Sequence, residues 1–512
     1  MLAAPGPSPG ESLASGARLR VKALPLDTVR ENVVFLARNC ARLRPERLAG
    51  VRKVELWLGA QRLLASLMIC DDAGLLGPDE IGLPQPIFRR LGARAGEMVQ
   101  VAPAPPSRTL GAVAGKVAGE VLTEDQYRVI AQEVADHRCS DIEVAALLVA
   151  CASFMTTEEV LFLTRGMLAA GRQLTWPRPI VVDKHCIGGV PGNRTSLIVA
   201  PIVAAHGLLM PKTSSRAITS PAGTADTMEV LARVDLGEEE MRQVVERCGA
   251  CIVWGGRVGL SPADDVLISV ERPLSIDTPE QMVASILSKK LAAGSTHLVL
   301  DVPVGPSTKI RDRRAALRLK KLFEHVAGRL GLSLEVLLTD AVEPIGFGVG
   351  PALEARDVRA VLERRPEAPV DLLEKSVMLA GRMLEADPAI PGGEGQARAR
   401  ELLRSGAAGR KMEEIMAAQG PSPKSNVIAP LVHEVVATRA GRVTQIDCLR
   451  IASIARLAGA PTDTGAGVDL LHKVGAYVAA GEPIFRIHGA EATDFGFACE
   501  AAAIDDGFRV AA

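Results

Sequence analysis

The stretch that decides the fold is IVVDKHCIGGVPGNRTS, residues 180–196. An apolar run typical of a buried strand leads into glycines and a proline, and Thr195 and Ser196 then open the long apolar run LIVAPIVAAHGLLM. A strand that turns through a glycine-rich loop into a helix presents backbone N–H groups to an anion. The loop contains neither the GxGxxG nor the GxxxxGK[ST] nucleotide fingerprint. It predicts an oxyanion site beside Lys184 and His185, and a tight structural turn is the alternative.

A second loop of similar composition, KTSSRAITSPAGT, occupies residues 212–224. It too follows a strand-like run, precedes a helix and is rich in hydroxyl side chains. Serine and threonine also serve as turn and cap residues, but two such loops at the strand ends of one sheet form the crevice where α/β folds bind ligands. A third element, ERPLSIDTPEQMVASILSKK at residues 271–290, places Asp277 ahead of a helix, as a site residue or as its N-cap.

The composition limits the class of protein. The chain has 512 residues, 59 Lys and Arg against 60 Asp and Glu, and 48% hydrophobic residues. This chain is too long for a single hydrophobic core, because cores stop growing near roughly 250–300 residues. The balance of positive and negative charges excludes a general nucleic-acid binder. The nine scattered cysteines are typical of a reducing cytoplasm. No uninterrupted apolar run reaches the roughly 18 residues that a bilayer requires, so we expect a cytoplasmic α/β enzyme without a membrane span.

Changes in hydrophobic period divide the chain into domains. Three helices with capping-box spacing, after Thr123, Ser140 and Thr156, predict a helical subdomain. Strand-like and helical runs then alternate, which predicts parallel strands joined by helices. The expected organisation is a disordered tail at 1–17, a β-rich N-terminal domain at 18–104, a helical subdomain at 105–176, an α/β phosphate- and substrate-binding domain at 177–425, part of which returns to the helical subdomain, and an α+β C-terminal domain at 426–512.

Several motifs in this order resemble the thymidine and pyrimidine-nucleoside phosphorylase family. They are DKH at 183–185 with GG at 188–189, SxR at 214–216, GT at 223–224, ASI at 284–286 and SKK at 288–290. The resemblance spans roughly residues 105–510. The extra N-terminal domain and the segments GGVPGN, SSRAITS, WGG, PADD and RPLSID most resemble the AMP phosphorylase branch, also called type 2 thymidine phosphorylases. The resemblance implies a pentosyltransferase and an α/β domain of the nucleoside phosphorylase and phosphoribosyltransferase type, with a mixed or parallel sheet.

The resemblance also implies roles for individual residues. Phosphate would be held by Lys184, Thr195, Ser196, Ser214 and Thr224. Asp277 would donate a proton to the leaving base, and Lys184 and His185 would complete the catalytic set. The nucleoside or nucleotide would contact Gly189, Ser215, Arg216, Ala217, Ile218, Thr219, Ser220, Thr224, Ser285, Lys289 and Lys309.

Two positions depart from the family pattern. Cys186 occupies the place of a phosphate-binding hydroxyl, and a thiol is a weak hydrogen-bond donor, so either Thr195 or backbone amides compensate, or the phosphate binds in a different position. Val270 occupies the place of a base-binding arginine, with Arg272 two residues away. For Asp277 to protonate a purine its pKa must be raised, which burial between apolar neighbours would achieve.

The favoured interpretation is phosphorolysis of a nucleoside 5′-monophosphate such as AMP to free base and ribose 1,5-bisphosphate. Thymidine phosphorolysis, giving thymine and 2-deoxyribose 1-phosphate, is the alternative. No metal or organic cofactor is implied, inorganic phosphate is the co-substrate, and we expect a homodimer or larger homo-oligomer with no nucleic-acid partner. An anthranilate phosphoribosyltransferase would use Asp264 and Asp265 on a metal, but its GTGGD turn is absent. A non-catalytic assembly protein is the remaining alternative.

Overall fold

A computed structural model describes residues 16–28, 31–44, 53–105, 107–217 and 220–511. The contacts among these residues group the chain into two compact units. Unit 1 takes Met1–Phe154 and Val266–Ile276, and unit 2 takes Met155–Asp265 and Asp277–Ala512. Of the predicted tail at 1–17, the first fifteen residues lie outside the described residues, and the predicted domain boundaries remain predictions.

Unit 1 begins with a closed barrel of six strands in the order β1-β5-β2-β4-β3-β6, in which β6 pairs back onto β1. Its centre is filled by aliphatic side chains such as Leu19, Val21, Leu36 and Leu56. The β-rich N-terminal region predicted from the short apolar runs is therefore confirmed. The strands and the short helix that follows β5 are β1 (Ala17–Leu24), β2 (Val33–Ala37), β3 (Lys53–Leu58), β4 (Gln61–Cys70), β5 (Glu80–Pro84), α1 (Gln85–Arg90) and β6 (Met98–Pro103).

Helices α2 (Leu110–Val117), α3 (Glu124–Ala135) and α4 (Asp141–Ser153) complete the N-terminal part of unit 1, whereas α5 (Thr157–Ala169) belongs to unit 2. Capping boxes form at Thr123, Ser140 and Thr156. The hydroxyl of each cap residue accepts a hydrogen bond from the backbone N–H three residues on, and the backbone N–H of the cap residue donates to the side chain of that third residue. All three caps agree with the sequence prediction. Helix α10 (Pro262–Leu274) runs from unit 2 into unit 1.

The α/β part of unit 2 is built on parallel strands, as the alternating pattern predicts. Strand β10 pairs with β7 and β11, and β8 pairs with β9, all in parallel. Because parallel strands end at one edge, the residues that follow β7, β8 and β10 come to the same side of the sheet. The strands are β7 (Val182–Cys186), β8 (Met210–Ser214), β9 (Ala250–Trp254), β10 (His297–Val304) and β11 (Ser333–Asp340).

The helices of this part enclose the central helix α6 (Thr195–His206), whose residues 195–204 are all buried. A helix that is apolar on every side must be covered by other helices, and α14 and α16 pack on it. The remaining helices are α7 (Thr224–Glu229), α8 (Glu238–Cys248), α9 (Gly255–Val258), α11 (Pro279–Ala292), α12 (Arg313–Arg329), α13 (Pro351–Leu362), α14 (Val370–Leu384), α15 (Gly395–Arg404) and α16 (Ala407–Gln419).

The C-terminal part of unit 2 has the predicted α+β character. Two small antiparallel sheets, β12-β15-β17-β13 and β16-β14-β18, pack with two helices around Phe485 and Ile487. Within the described ranges, no helix is both long and apolar enough to cross a membrane. The elements are β12 (Gly348–Val349), β13 (Leu431–Val436), β14 (Gly441–Ile446), α17 (Cys448–Leu457), β15 (Gly467–Leu470), β16 (Tyr477–Val478), β17 (Pro483–Gly489), α18 (Ala492–Ile504) and β18 (Phe508–Ala511).

Candidate active site

The ammonium group of Lys184 lies buried at the end of β7, at the start of the first glycine-rich loop (residues 186–194, hereafter loop 1). Its Nζ donates to Thr195 Oγ1 at 2.6 Å. No carboxylate of the described residues lies within ion-pair distance of this Nζ. Burial lowers the pKa of Lys184, because desolvation disfavours its charged form. An anion arriving here would supply the missing counter-charge.

Asp183, the neighbouring residue, contacts two further buried lysines. Lys290 Nζ lies 2.7 Å from Asp183 Oδ2, and Lys212 Nζ lies 3.3 Å from Oδ1. Burial alone would raise the pKa of Asp183, but the two lysines outweigh it and hold that pKa below its ordinary value. Two buried lysines thus share one aspartate, while the neighbouring Lys184 has no ion-pair partner among the described residues. Since buried charge is costly without compensation, this cluster favours a bound oxyanion.

The imidazole of His185 is neutral at pH 7. Burial and the positive charges of Lys290, Lys212, Lys289 and Lys184 lower its pKa well below 6.5. Its ring makes no hydrogen bond with any residue that the structure describes. His185 can therefore offer a substrate one donor and one acceptor nitrogen, but not a cation.

A chain of side-chain contacts fixes the base of loop 1. Cys186 Sγ accepts from Asn193 Nδ2 at 3.2 Å and from the Gly188 amide at 3.5 Å. Thr195 Oγ1, which accepts from Lys184, donates its proton to Asn193 Oδ1 at 3.2 Å. Burial raises the pKa of the Cys186 thiol to about 11. Because a threonine has a single proton to donate, Thr195 in this arrangement has none left to compensate for Cys186, and backbone amides remain for that task.

Three of the predicted phosphate ligands keep their protons available. The hydroxyls of Ser196, Ser214 and Thr224 donate to no acceptor among the described residues, although Thr224 Oγ1 accepts from Arg194 at 3.4 Å. Ser196 stands in the first turn of α6, whose backbone N–H groups are also without helical partners. Three hydroxyl donors thus stand at or after the ends of β7 and β8 without an acceptor among the described residues.

Two glycines allow the close approach of backbone segments at the site. At Gly189, where φ is +88°, an added Cβ would lie 2.9 Å from the backbone nitrogen of Lys309. At Gly223 it would lie 2.6 Å from the backbone nitrogen of Ala217. These contacts bring Lys309 to loop 1 and close the second glycine-rich loop (residues 215–223, hereafter loop 2) onto the start of α7.

Loop 2 is held by acidic side chains that the sequence analysis did not identify. The Arg216 guanidinium donates to both oxygens of Glu229 at 2.6 and 2.8 Å and lies over the Trp254 ring at 4.9 Å. Asp226 Oδ2 accepts from the backbone N–H groups of Ala217 and Gly223 at 2.6 and 2.8 Å. Ser215 is exposed and Ser220 donates to the Ala222 carbonyl. The predicted contacts Ile218 and Thr219 lie outside the described residues.

Asp277 differs from the expectation in two respects. Its side chain is 46% exposed and forms an ion pair with Lys309 at 2.5 Å, so it is not buried between apolar neighbours. The N-cap of α11 is Thr278, whose hydroxyl accepts from the Gln281 amide at 3.3 Å. The predicted cap at Asp277 is therefore wrong by one residue, because the Pro279 that opens the helix leaves the cap to the residue just before it.

Ser285 and Lys289 lie one turn apart on α11, both half-buried. Lys289 Nζ lies 2.7 Å from Asp264 Oδ2, and Asp264 is itself buried. This carboxylate thus orients a lysine, and within the described ranges no group of three or more His, Cys, Asp or Glu side chains gathers to hold a metal. Val270 and Arg272 belong to unit 1. All other predicted site residues within the described ranges belong to unit 2.

Comparison with known proteins agrees with this architecture. Residues 178–409 match the model of the "Glycosyl transferase family, a/b domain" and residues 112–171 that of the "Glycosyl transferase family, helical bundle domain". Residues 442–504 match the "Pyrimidine nucleoside phosphorylase C-terminal domain". The predicted fold class is confirmed in each of these parts.

Curated relatives match nearly the whole chain. A "Putative thymidine phosphorylase" of Bradyrhizobium sp. (strain BTAi1) is 56% identical over 96% of this chain and 97% of its own length. A protein of that name from Albidiferax ferrireducens is 51% identical over 96% of this chain and 95% of its own. Among solved structures, anthranilate phosphoribosyltransferase from Thermus thermophilus superposes with a TM-score of 0.51, covering 60% of this chain and 99% of its own, at 23% identity. That last likeness concerns the fold alone.

Proposed function

The chain belongs to the thymidine and pyrimidine-nucleoside phosphorylase family, and on this basis we propose that it catalyses phosphorolysis of thymidine to thymine and 2-deoxyribose 1-phosphate. The names of relatives more than half identical to it support this substrate over AMP, which the sequence alone favoured. The reaction needs two substrates, a nucleoside and inorganic phosphate.

The observation that carries the proposal is the donor set around Lys184. Lys184 contributes a buried ammonium that no described carboxylate pairs with, and Ser196, Ser214 and Thr224 stand at or after the ends of β7 and β8 with hydroxyls that donate to no described acceptor. Phosphate bound there would present an oxygen to C1′ of the sugar. As the new C1′–O bond forms, the N-glycosidic bond breaks and its electron pair passes to the base nitrogen. Holding both reactants in one geometry removes much of the entropic barrier.

Three further side chains would serve the nucleoside. Ser285 and Lys289 project from the same face of α11 and would bind the base, with Lys289 stabilising the negative charge that develops on it. Asp264 keeps the Lys289 ammonium in position at 2.7 Å. His185, neutral and without a hydrogen-bond partner among the described residues, would contact the sugar or the departing base.

A nucleoside 5′-monophosphate such as AMP is the second candidate. It is favoured by Lys309, whose backbone lies against Gly189 of loop 1 and whose ammonium pairs with Asp277. In this alternative Lys309 would bind the nucleotide and Asp277 would donate a proton to the purine. Asp277 is exposed in this structure, and exposure does not favour proton donation by this carboxyl group.

One assay panel separates the candidates. Thymidine, uridine, AMP, CMP and UMP are each incubated with and without inorganic phosphate, and base release is followed. We expect phosphate-dependent release from thymidine and a loss of kcat/KM of at least about 100-fold in Lys184→Met, since an oriented charge in a dry site is typically this important. Lys321→Met, at an exposed lysine of α12, is the control. Release from AMP but not thymidine would select the second candidate, and release without phosphate would contradict the mechanism.

A further inference from the structure

Arg194 and Glu354 form a buried ion pair between two segments that are 160 residues apart. Arg194 is the residue before α6, and its guanidinium extends into loop 2. There it donates to the Ala222 carbonyl at 2.6 Å, to Ser220 Oγ at 3.5 Å and to Thr224 Oγ1 at 3.4 Å. Glu354, on α13, also accepts from the Thr227 hydroxyl at 3.1 Å and the Gly350 amide at 3.3 Å. The pair therefore joins loop 1, loop 2 and α13.

We propose that Arg194, held by Glu354, is a positioning residue for the phosphate co-substrate, acting through the Thr224 hydroxyl. This inference rests on the proposed function, because it concerns the phosphate ligands of the same site. Arg194 itself need not touch phosphate. It joins the start of α6, which carries Ser196, to the start of α7, which carries Thr224, and so fixes the distance between the two hydroxyls.

The hydrogen-bonding capacity of a hydroxyl explains the effect on Thr224. Each hydroxyl has one proton and two lone pairs. The Arg194 N–H occupies one lone pair of Thr224 Oγ1, and like charges repel, so the Thr224 proton turns away from the guanidinium. No acceptor among the described residues takes this proton. Ser220 differs, because its proton is already donated to the Ala222 carbonyl. Of the two hydroxyls that Arg194 contacts, Thr224 alone is thus prepared to donate to an anion.

Glu354 has a separate task in the pair. A guanidinium left unpaired in the interior would either move towards solvent or take the incoming phosphate as its own counter-ion. With Glu354 as its partner, Arg194 stays in place whether or not phosphate is bound. The fork of the guanidinium is essential here, since one edge faces Glu354 while its terminal nitrogens reach loop 2.

The first experiment measures KM for phosphate and KM for thymidine separately. Arg194→Lys keeps the charge but loses the fork, and Glu354→Gln keeps the shape but loses the charge. We expect either variant to raise KM for phosphate about tenfold while KM for thymidine changes less than twofold. Arg356→Lys is the matched control, since Arg356 lies on α13 and forms a comparable pair with Asp469 at 2.7 and 2.8 Å. An equal rise of both KM values in Arg194→Lys would overturn the inference.

The second experiment tests whether Arg194 acts through Thr224. Thr224→Val is measured alone and combined with Arg194→Lys. If the arginine works by orienting this hydroxyl, the double variant has the KM for phosphate of Thr224→Val alone. If the two substitutions instead multiply their effects on KM for phosphate, Arg194 does not act through Thr224. Should Glu354→Gln fail to fold, Arg194→Lys and this pair of variants decide the matter.

The dissociation constant of inorganic phosphate, measured by calorimetry, separates this inference from the proposed function. If the natural protein binds phosphate but cleaves no thymidine, the proposed function fails, and the same tenfold weakening of phosphate binding in Arg194→Lys still supports the inference. If the natural protein cleaves thymidine and the variants keep its phosphate affinity, only the inference fails. Absence of phosphate binding by the natural protein overturns both.

Discussion

At residue 186 a thiol stands where a hydroxyl would serve a phosphate better. The Cys186 sulfur only accepts, from Asn193 and Gly188, and its raised pKa keeps it protonated at neutral pH. We predict that Cys186→Ser lowers KM for phosphate about three- to tenfold, because a hydroxyl bonded to a charged group contributes roughly 1 kcal/mol more than a thiol. Steady-state kinetics at varied phosphate tests this, with Cys70→Ser in the barrel as control. An unchanged or higher KM in Cys186→Ser would show that the backbone amides already suffice.

The neutral state of His185 makes stability depend on pH. Its pKa lies below 6.5 in the folded protein, so between that value and 6.5 the unfolded chain binds more protons. The contribution of neutral His185 to the free energy of unfolding is complete above pH 6.5, and it is lost as the pH falls towards the pKa of His185 in the folded protein. We expect the free energy of unfolding to fall between pH 6.5 and 5.5 less steeply in His185→Gln than in the natural protein, by up to about 1.4 kcal/mol per pH unit. Urea unfolding at several pH values measures this slope, with His433→Gln, at an exposed histidine, as the control.

At the level of elements, the shape of loop 1 depends on glycine at a crowded position. Gly192 has φ of +72°, and an added Cβ would lie 2.0 Å from the Ile345 carbonyl oxygen. Gly188 has φ of +92° but nothing within 4 Å of the added Cβ. We predict that Gly188→Ala costs about 1 kcal/mol of stability from backbone strain alone. Gly192→Ala should cost about 3 kcal/mol or more and abolish phosphate binding.

Chemical denaturation and phosphate calorimetry on these two variants provide the measurement. Because both substitutions add one methyl group to the same loop at positive φ, the difference between them isolates the clash with Ile345. Equal losses in the two variants would show that strain, and not the close approach, governs the loop.

The elements themselves were largely predictable from local sequence, whereas their long-range partners were not. The strand, glycine turn and helix at residues 180–206 can be predicted because the hydrophobic pattern changes within this short stretch. The caps at Thr123, Ser140 and Thr156 can be predicted because each pairs with a residue only three positions on. Glu354 lies 160 residues from Arg194 in an ordinary helical pattern, so nothing local marks it as a partner. The exposure of Asp277 was equally hidden, since burial depends on which elements the chain brings over it.

On the scale of the whole molecule, the net charge of −1 conceals a strongly positive interior site in unit 2. Phosphate binding should therefore be a local event, confined to the strand ends of that unit. We predict that saturating phosphate slows amide hydrogen exchange in residues 184–196 and 212–224 and leaves exchange in the barrel strands of unit 1 unchanged. Bound phosphate disfavours only those local openings of the backbone that would release it. Exchange mass spectrometry with and without phosphate, at matched ionic strength, tests this.

Slower exchange spread evenly over both units would contradict a confined site. Thr224→Val is a suitable comparison, since it should reduce the protection of both loops together. Assembly into a homo-oligomer remains a prediction from the sequence.

The closed barrel has one more consequence, for how the protein avoids unwanted association. Each of its six strands has a hydrogen-bonded neighbour on both sides, so its backbone donors and acceptors are already occupied. An open sheet offers a template on which foreign strands, or strands of another copy, can add and grow into fibres. The barrel offers no such template. A contact made through the described strands of the barrel must therefore be formed by side chains, and single surface substitutions can change it.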